Sequence, residues 1–281
     1  MSNILISVKN LTKQYQAEQA GGIRNVSFDI KKGDVVAIIG ESGSGKSTLL
    51  KSIYGLLKTD EGEIYFEDKR VKGPDEQLIP GHKQMKMVTQ DFSLNIYAKV
   101  YDNIASQLSN TDLKTKAEKT LAIMEHLRIL PLQNKKIIEL SGGEQQRVAI
   151  AKAMVSDTQV LLLDEPFSQV DALLKNQLRA DIKRIAAETG VTVILVSHDP
   201  ADGLFLSDQL LILRNGELLQ TGKPAEIYQQ PKHIYTAQIL GNAVVLARDE
   251  AEKIGLKAQK DFVVFYPEWA EINNNWSSRR F

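Results

Sequence analysis

The run Gly40-Glu41-Ser42-Gly43-Ser44-Gly45-Lys46-Ser47-Thr48 combines the residue types and the spacing that hold a phosphorylated ligand. It fits the pattern G-x-x-x-x-G-K-[ST]. Glycines let the backbone curl so that successive N–H groups converge on an anion. A helix opening there adds the positive end of its dipole. Lys46 supplies a point charge for the terminal phosphates, and the Ser47 hydroxyl is placed to hold Mg2+. The plainer alternative is a Gly/Ser turn before a helix. The flanks, which read as strand and helix, weigh against it.

A second group of reactive side chains lies well downstream. Asp164 and Glu165 close the apolar run Gln159-Val160-Leu161-Leu162-Leu163. An Asp ending such a strand, in a chain that also has a phosphate loop, is the Mg2+-holding partner in nucleotide hydrolases, and Glu165 could orient or deprotonate an attacking water. Either acid taken alone could instead cap a helix. His198 follows another apolar run, Val191 to Val196. A lone histidine is a weak signal, and its place past that strand strengthens it. Tyr15, in Leu11-Thr12-Lys13-Gln14-Tyr15, reads on its own as core packing, with stacking on a purine as the alternative. Ser141 and Glu144 have the S-x-x-E spacing of a capping box.

These side chains need a scaffold, and the apolar pattern predicts one. Ile4 to Val8, Val26 to Ile30, Val35 to Ile39, Gly62 to Phe66 and Met85 to Thr89 read as strands, as do Gln159 to Leu163 and Val191 to Val196. In the second, Val26, Phe28 and Ile30 alternate inward. Helix is predicted at Leu49 to Tyr54 and through most of Asp91 to Met154. There Leu113, Ala117, Leu121 and Met124 mark an apolar face and Pro131 ends the helix. Asp68 to Gln84 reads as loop. Leu174, Leu178, Ile182 and Ile185 mark a helix stopped at Gly190. Asp199-Pro200 starts another, and Gln209 to Leu213 pairs with Glu217 to Thr221 as a hairpin. Strands alternating with helices imply an α/β fold with a largely parallel sheet covered on both faces. Ligands of such sheets bind beyond the C-terminal strand ends. The phosphate loop, Gln90, Asp164-Glu165 and His198 all follow strand ends, which places them in one cleft.

Composition narrows the classes. The 281 residues suffice for one large domain and a small appendage. The 35 Lys and Arg balance 35 Asp and Glu, so no broad basic surface for nucleic acid is expected. The absence of cysteine excludes disulfides and thiolate metal sites. The N-terminus lacks the pattern of a signal peptide. No apolar run approaches the ~20 residues that cross a bilayer, so any action at a membrane relies on another chain.

From about Ile4 to Ile239 the sequence resembles the nucleotide-binding subunit of an ATP-binding cassette (ABC) transporter. The carrying residues are the turn Leu140-Ser141-Gly142-Gly143, in its expected order between the phosphate loop and Asp164-Glu165. The resemblance implies a P-loop NTPase fold with an N-terminal antiparallel β part, a mostly parallel sheet and a helical subdomain over residues 91–155, within a cassette spanning 1–234. It implies ATP and Mg2+ as ligands. Tyr15 then stacks on adenine, residues 40–48 cradle the phosphates, and Ser47, Gln90 and Asp164 face Mg2+. Glu165, His198, Gln90 and Lys46 serve hydrolysis. Ser168 to Asp171 resembles the loop that crosses a dimer interface. Ser141, Gly142 and Gly143 expose backbone N–H groups at a helix start, a second anion site. In the family it closes on the γ-phosphate held by the other subunit, so a head-to-tail dimer is implied, with a second copy or a close relative.

The resemblance also implies partners. Transmembrane permease subunits and, for an importer, a substrate-binding protein are expected, with the chain peripheral on the cytoplasmic side of the membrane. Import is favoured by the single cassette and the importer-like junction at Thr236 to Asn242; an exporter ATPase is the alternative. Members acting on DNA or ribosomes carry coiled-coil insertions or two cassettes, and neither is present. Phe92 to Tyr97 and Gln169-Val170 depart from the commoner pattern. Residues 235–281 read as a short extension, a vestige of a regulatory domain, of which Phe262 to Glu268 resembles a piece.

Overall fold

A computed structural model describes residues 3–15, 22–168, 170–253 and 262–266. Two compact units divide between Pro224 and Ala225, against an expected boundary ten residues later.

In the first unit the elements run β1 (Ile4–Lys13), β2 (Ile23–Lys31), β3 (Val35–Ile39), α1 (Lys46–Tyr54), β4 (Glu61–Phe66), β5 (Lys69–Arg70), β6 (Met85–Val88), α2 (Val100–Ala105), α3 (Leu113–His126) and α4 (Gly142–Met154). There follow β7 (Val160–Asp164), α5 (Ala172–Thr189), β8 (Thr192–Ser197), α6 (Pro200–Leu206), β9 (Gln209–Arg214) and β10 (Glu217–Gly222). One sheet, β2-β1-β4-β5, is antiparallel. The other has the order β10-β9-β3-β8-β7-β6, parallel except for the edge hairpin. Every residue of β3, β7 and β8 is buried, as expected for parallel strands covered on both faces.

Helix α1 lies at the centre of the core. Its Leu49, Leu50 and Ile53 join Ile6, Val8 and Ile64 of the antiparallel sheet to Val36, Ile38, Leu162 and Ile194 of the parallel one. Both sheets therefore grip the helix that the phosphate loop opens. On the opposite face α6 packs so closely that a Cβ on Gly203 would lie 2.6 Å from Leu210 and 3.0 Å from Ile39.

The segment from Asp91 to Met154 is less helical than the sequence predicts. It holds α2, α3 and α4, joined by loops and the 3-10 turns Leu130–Leu132 and Ile137–Glu139. The apolar face of α3 is also turned from its predicted position. Leu113 and Leu121 are exposed, whereas Thr120 and Met124 are buried. Thr120 can face inward because its hydroxyl donates to the Lys116 carbonyl at 2.8 Å. The helix ends at His126, before Arg128 turns left-handed (φ 57°), and Pro131 sits in the following 3-10 turn.

The second unit contains α7 (Pro224–Gln229, opening at the boundary), α8 (Ile234–Leu240), β11 (Val244–Ala247), α9 (Arg248–Lys253) and β12 (Phe262–Phe265). β11 and β12 pair antiparallel, and the Tyr228 and Tyr266 rings stack 4.2 Å apart. Pro267 and Glu268, part of the predicted piece of a regulatory domain, lie outside the described residues.

Candidate active site

The phosphate loop leaves β3 and turns into α1 through backbone that only glycine adopts readily. Gly45, the residue before α1, has φ +98°, and a Cβ there would lie 2.5 Å from the Gly22 carbonyl oxygen. A Cβ on Gly40 would meet the Leu213 carbonyl at 2.3 Å. Lys46 is only 6% exposed, and its ammonium donates to the Gly40 and Glu41 carbonyls at 2.8 and 2.9 Å. Burial pushes its pKa down, and the carboxylates of Glu165, Asp164 and Glu41 oppose that shift. Those acids thus face the same cleft as the lysine.

Ser47, one residue further, donates its hydroxyl to Asp164 Oδ1 at 2.8 Å, across 117 residues of sequence. The bond ties the loop to the end of β7. Both side chains are hard oxygen donors, of the kind Mg2+ takes together with waters and substrate phosphates. The inward Ser44 hydroxyl is buried without a hydrogen-bond partner, and a Cβ on Gly43 would meet nothing within 4 Å. Open space in front of the loop and a spare buried hydroxyl both fit an anionic ligand.

Glu165 follows β7 with φ +52°, a left-handed conformation uncommon for its residue type. Its N–H donates to the Val196 carbonyl at 3.1 Å, and its own carbonyl accepts from the Ser168 N–H and hydroxyl at 3.2 and 3.0 Å. The turn directs its Oε2 to within 2.8 Å of His198 Nδ1, just past β8. A carboxylate accepts, so Nδ1 donates and Nε2 is left for another partner. The His198 side chain is 60% exposed and that of Glu165 19%.

Gln90 emerges two residues past β6, which pairs with β7, and so sits at the same sheet edge as Asp164. Left-handed backbone at Phe92 and Ser93 follows, and Lys152 of α4 donates to the Ser93 carbonyl at 2.7 Å. Tyr15 is 40% exposed, which removes the core-packing reading. It lies just beyond Lys13 and Gln14, against which Gly22 packs, and Gly22 in turn abuts Gly45.

The turn at Ser141 stands apart from this group. Ser141 caps α4: its Oγ accepts from Glu144 N–H at 3.4 Å, and Glu144 Oε2 accepts from Ser141 N–H at 2.8 Å. Gly142 and Gly143 form the first turn of α4. Ser141, Gly143 and Arg147 line a cleft of about 280 Å3 with Val170, Leu174 and Leu178, and no phosphate-loop residue lines it. Asp171 precedes α5 and is exposed. Gln169 lies outside the described residues.

The profile of the family described as ABC transporter matches residues 23–168, from β2 through the phosphate loop and the Ser141 turn to Ser168. This chain belongs to the ABC transporter family. The cassette is 37% identical over 253 residues to the spermidine/putrescine import ATP-binding protein PotA of Mycoplasma capricolum, covering 88% of this chain and 69% of that protein. It is 38% identical over 242 residues to the glucose import ATP-binding protein GlcV of Saccharolobus solfataricus, covering 85% and 68%. With the sn-glycerol-3-phosphate import ATP-binding protein UgpC of Vibrio cholerae it shares 36% over 241 residues, covering 85% and 63%. Among solved structures it matches cbiO1 from Clostridium perfringens with TM-score 0.72 at 25% identity, covering 85% of this chain and 96% of that one. It matches the dimeric MJ0796 cassette with TM-score 0.68 at 29% identity, covering 78% and 99%. The cassette is an ATP-hydrolysing subunit of import type that works with membrane permease components. None of its described helices is long and apolar enough to cross a membrane.

Sequence reasoning passed over three residues behind this site: Arg179, Ser197 and Asp202. Asp202 is fully buried, and burial pushes its carboxyl upward against the hydrogen bonds from Ser197 and Arg179. Its one signal in the sequence is its offset of three from the helix-capping Asp199.

Proposed function

We propose that residues 40–48 bind the phosphates of ATP, that Ser47, Asp164 and Gln90 hold Mg2+, and that Glu165 and His198 carry out hydrolysis. The observation that carries this reading is the 2.8 Å contact between Glu165 and His198, set at the strand ends beside the Ser47–Asp164 bond. Glu165 accepts a proton from the water that attacks the γ-phosphorus, and ADP leaves with its oxygen. His198 Nε2 contacts the γ-phosphate, and Lys46 bears on the β- and γ-oxygens. Mg2+ held by Ser47, Asp164 and Gln90 would supply positive charge against the phosphates as negative charge develops there. Tyr15 offers its ring to the adenine.

Ser141, Gly142 and Gly143 serve the nucleotide of a second subunit. Their cleft contains no group of this chain's own phosphate loop, and the MJ0796 relative is a dimer. Asp171 lies on the same interface. Closure around two nucleotides drives a permease on the cytoplasmic side of the membrane, with a substrate-binding protein feeding it. The relatives at similar identity are import ATP-binding proteins for spermidine/putrescine, glucose and sn-glycerol-3-phosphate, so selection of the cargo falls to the permease and the binding protein. Residues 225–281 form an accessory unit. Size-exclusion chromatography of Glu165→Gln with ATP and Mg2+ tests this reading. A dimer that dissociates when nucleotide is removed is expected, and a monomer under saturating ATP would overturn the interface role of Ser141.

A further inference from the structure

Arg179, on α5, is only 12% exposed. Its Nε donates to Asp202 Oδ1 at 2.7 Å, its Nη2 to the same oxygen and to Asp199 Oδ2 at 3.0 Å, and its Nη1 to Asn176 at 2.9 Å. Asp202 accepts in turn from the Ser197 hydroxyl through Oδ2. The Ser197 hydroxyl accepts from the Asp199 N–H at 3.0 Å. The residues on both sides of His198 are therefore held by one network centred on Arg179, with Lys175 at its margin, 4.0 Å from Asp199 Oδ2. The guanidinium also lies 5.6 Å from the ring centroid of Phe167. Phe167 is 2% exposed and stands two residues past Glu165.

We infer that Arg179 is a positioning residue for hydrolysis: one buried guanidinium registers the Glu165 turn, through Phe167, against the His198 turn, through Asp199 and Asp202. The inference rests on the assignment of Glu165 and His198 to hydrolysis. The two turns leave different strands, β7 and β8, and the hydrolytic pair must stay in hydrogen-bond reach across that gap. A planar fork that spreads donors over two carboxylates while facing a ring does this with one side chain. A lysine, with its donors on one atom, cannot do so. Phosphate binding does not depend on the network, because Lys46 and Ser47 are fixed by β3, α1 and Asp164.

The test compares Arg179→Ala, Arg179→Lys and Asp202→Asn in the full chain, with Glu165→Gln and His198→Ala as references. A fluorescent ATP analogue reports affinity and steady-state kinetics report turnover. For both Arg179 variants kcat is expected to fall about tenfold or more, with KM and the analogue Kd within about twofold of the parent. The double variant Arg179→Ala/His198→Ala is expected to lose less than the product of the two single losses, since the pair whose register Arg179 sets is already broken. Should Arg179→Ala not fold, Arg179→Lys, which keeps the charge beside Asp202, carries the measurement. Unchanged kcat in a folded Arg179 variant, equal losses in affinity and turnover, or multiplying losses in the double variant would each overturn the inference. Unchanged turnover in Glu165→Gln and His198→Ala would instead bring down the assignment of the hydrolytic pair.

Discussion

Lys46 is a cation kept below the surface with two carbonyl oxygens as its immediate neighbours. Replacing it with alanine removes the charge that ATP phosphates would meet, and a charge-assisted contact of this kind is worth up to about 3 kcal/mol. Lys46→Ala is therefore expected to weaken nucleotide binding about a hundredfold, read by titration with a fluorescent analogue. His198→Ala separates chemistry from folding. Its ring is mostly exposed, so stability should change by less than about 0.5 kcal/mol in urea denaturation, while turnover falls about tenfold or more. Most of these residues were legible because their signal is local. A lysine one residue after a glycine, or an acid at the end of an apolar run, needs no knowledge of distant chain. Arg179 was not legible, because it acts on residues 20 and 23 positions away, and an arginine beside Leu178 looks like an ordinary helix surface.

Among the elements, β3, β7 and β8 were readable for the same reason: unbroken apolar runs can only be strands buried on both faces or very short helices. The face of α3 was misread because threonine counts as polar until its hydroxyl is satisfied within its own helix. Leu121→Ala should consequently change stability by less than about 0.5 kcal/mol. Arg147→Ala on α4 should behave differently. Its guanidinium lies 3.0 Å from Asp181 of α5, whose side chain is 3% exposed, and the other nearby cation, Arg184, stands at 3.5 Å. Removing Arg147 leaves this buried carboxylate with Arg184 as its remaining partner, so the cost falls below the about 3 kcal/mol of a fully stranded charge. The loss should appear as a shift of the denaturation midpoint. Helix α5 thus carries two buried ion pairs, one directed to the Ser141 helix and one to the His198 turn.

For the whole molecule the sequence was a weaker guide. Strand β3 lies between β8 and β9, more than 150 residues downstream, and nothing in the local pattern of any of the three specifies that neighbour. The second unit was legible only as a change of character after Tyr235, whereas its compact part begins at Ala225. Its stacked tyrosines provide a test of independence. Tyr266→Ala removes an aromatic pair worth about 1 kcal/mol beyond its buried area. Amide exchange is expected to quicken at Val244 to Ala247, while ATP turnover stays within about twofold of the parent.

Gly22, Gly45 and Gly216 meet at one carbonyl. A Cβ on Gly45 or on Gly216 would come within 2.5 or 2.6 Å of the Gly22 oxygen. The Gly216 amide donates to Ser44 O at 3.0 Å, and Arg24 N–H donates to Gly216 O at 2.8 Å. Three distant stretches of main chain are thus fastened together through backbone groups, with the Ile23 side chain alongside, 2.9 Å from a Cβ on Gly45. Such a joint holds no ionisable group, so acid, base or added salt gives no handle by which to loosen it. One extra methyl would be enough to pry it open, at about 1–3 kcal/mol for the strained backbone alone. Gly45→Ala should consequently lose ATP affinity in step with thermal stability.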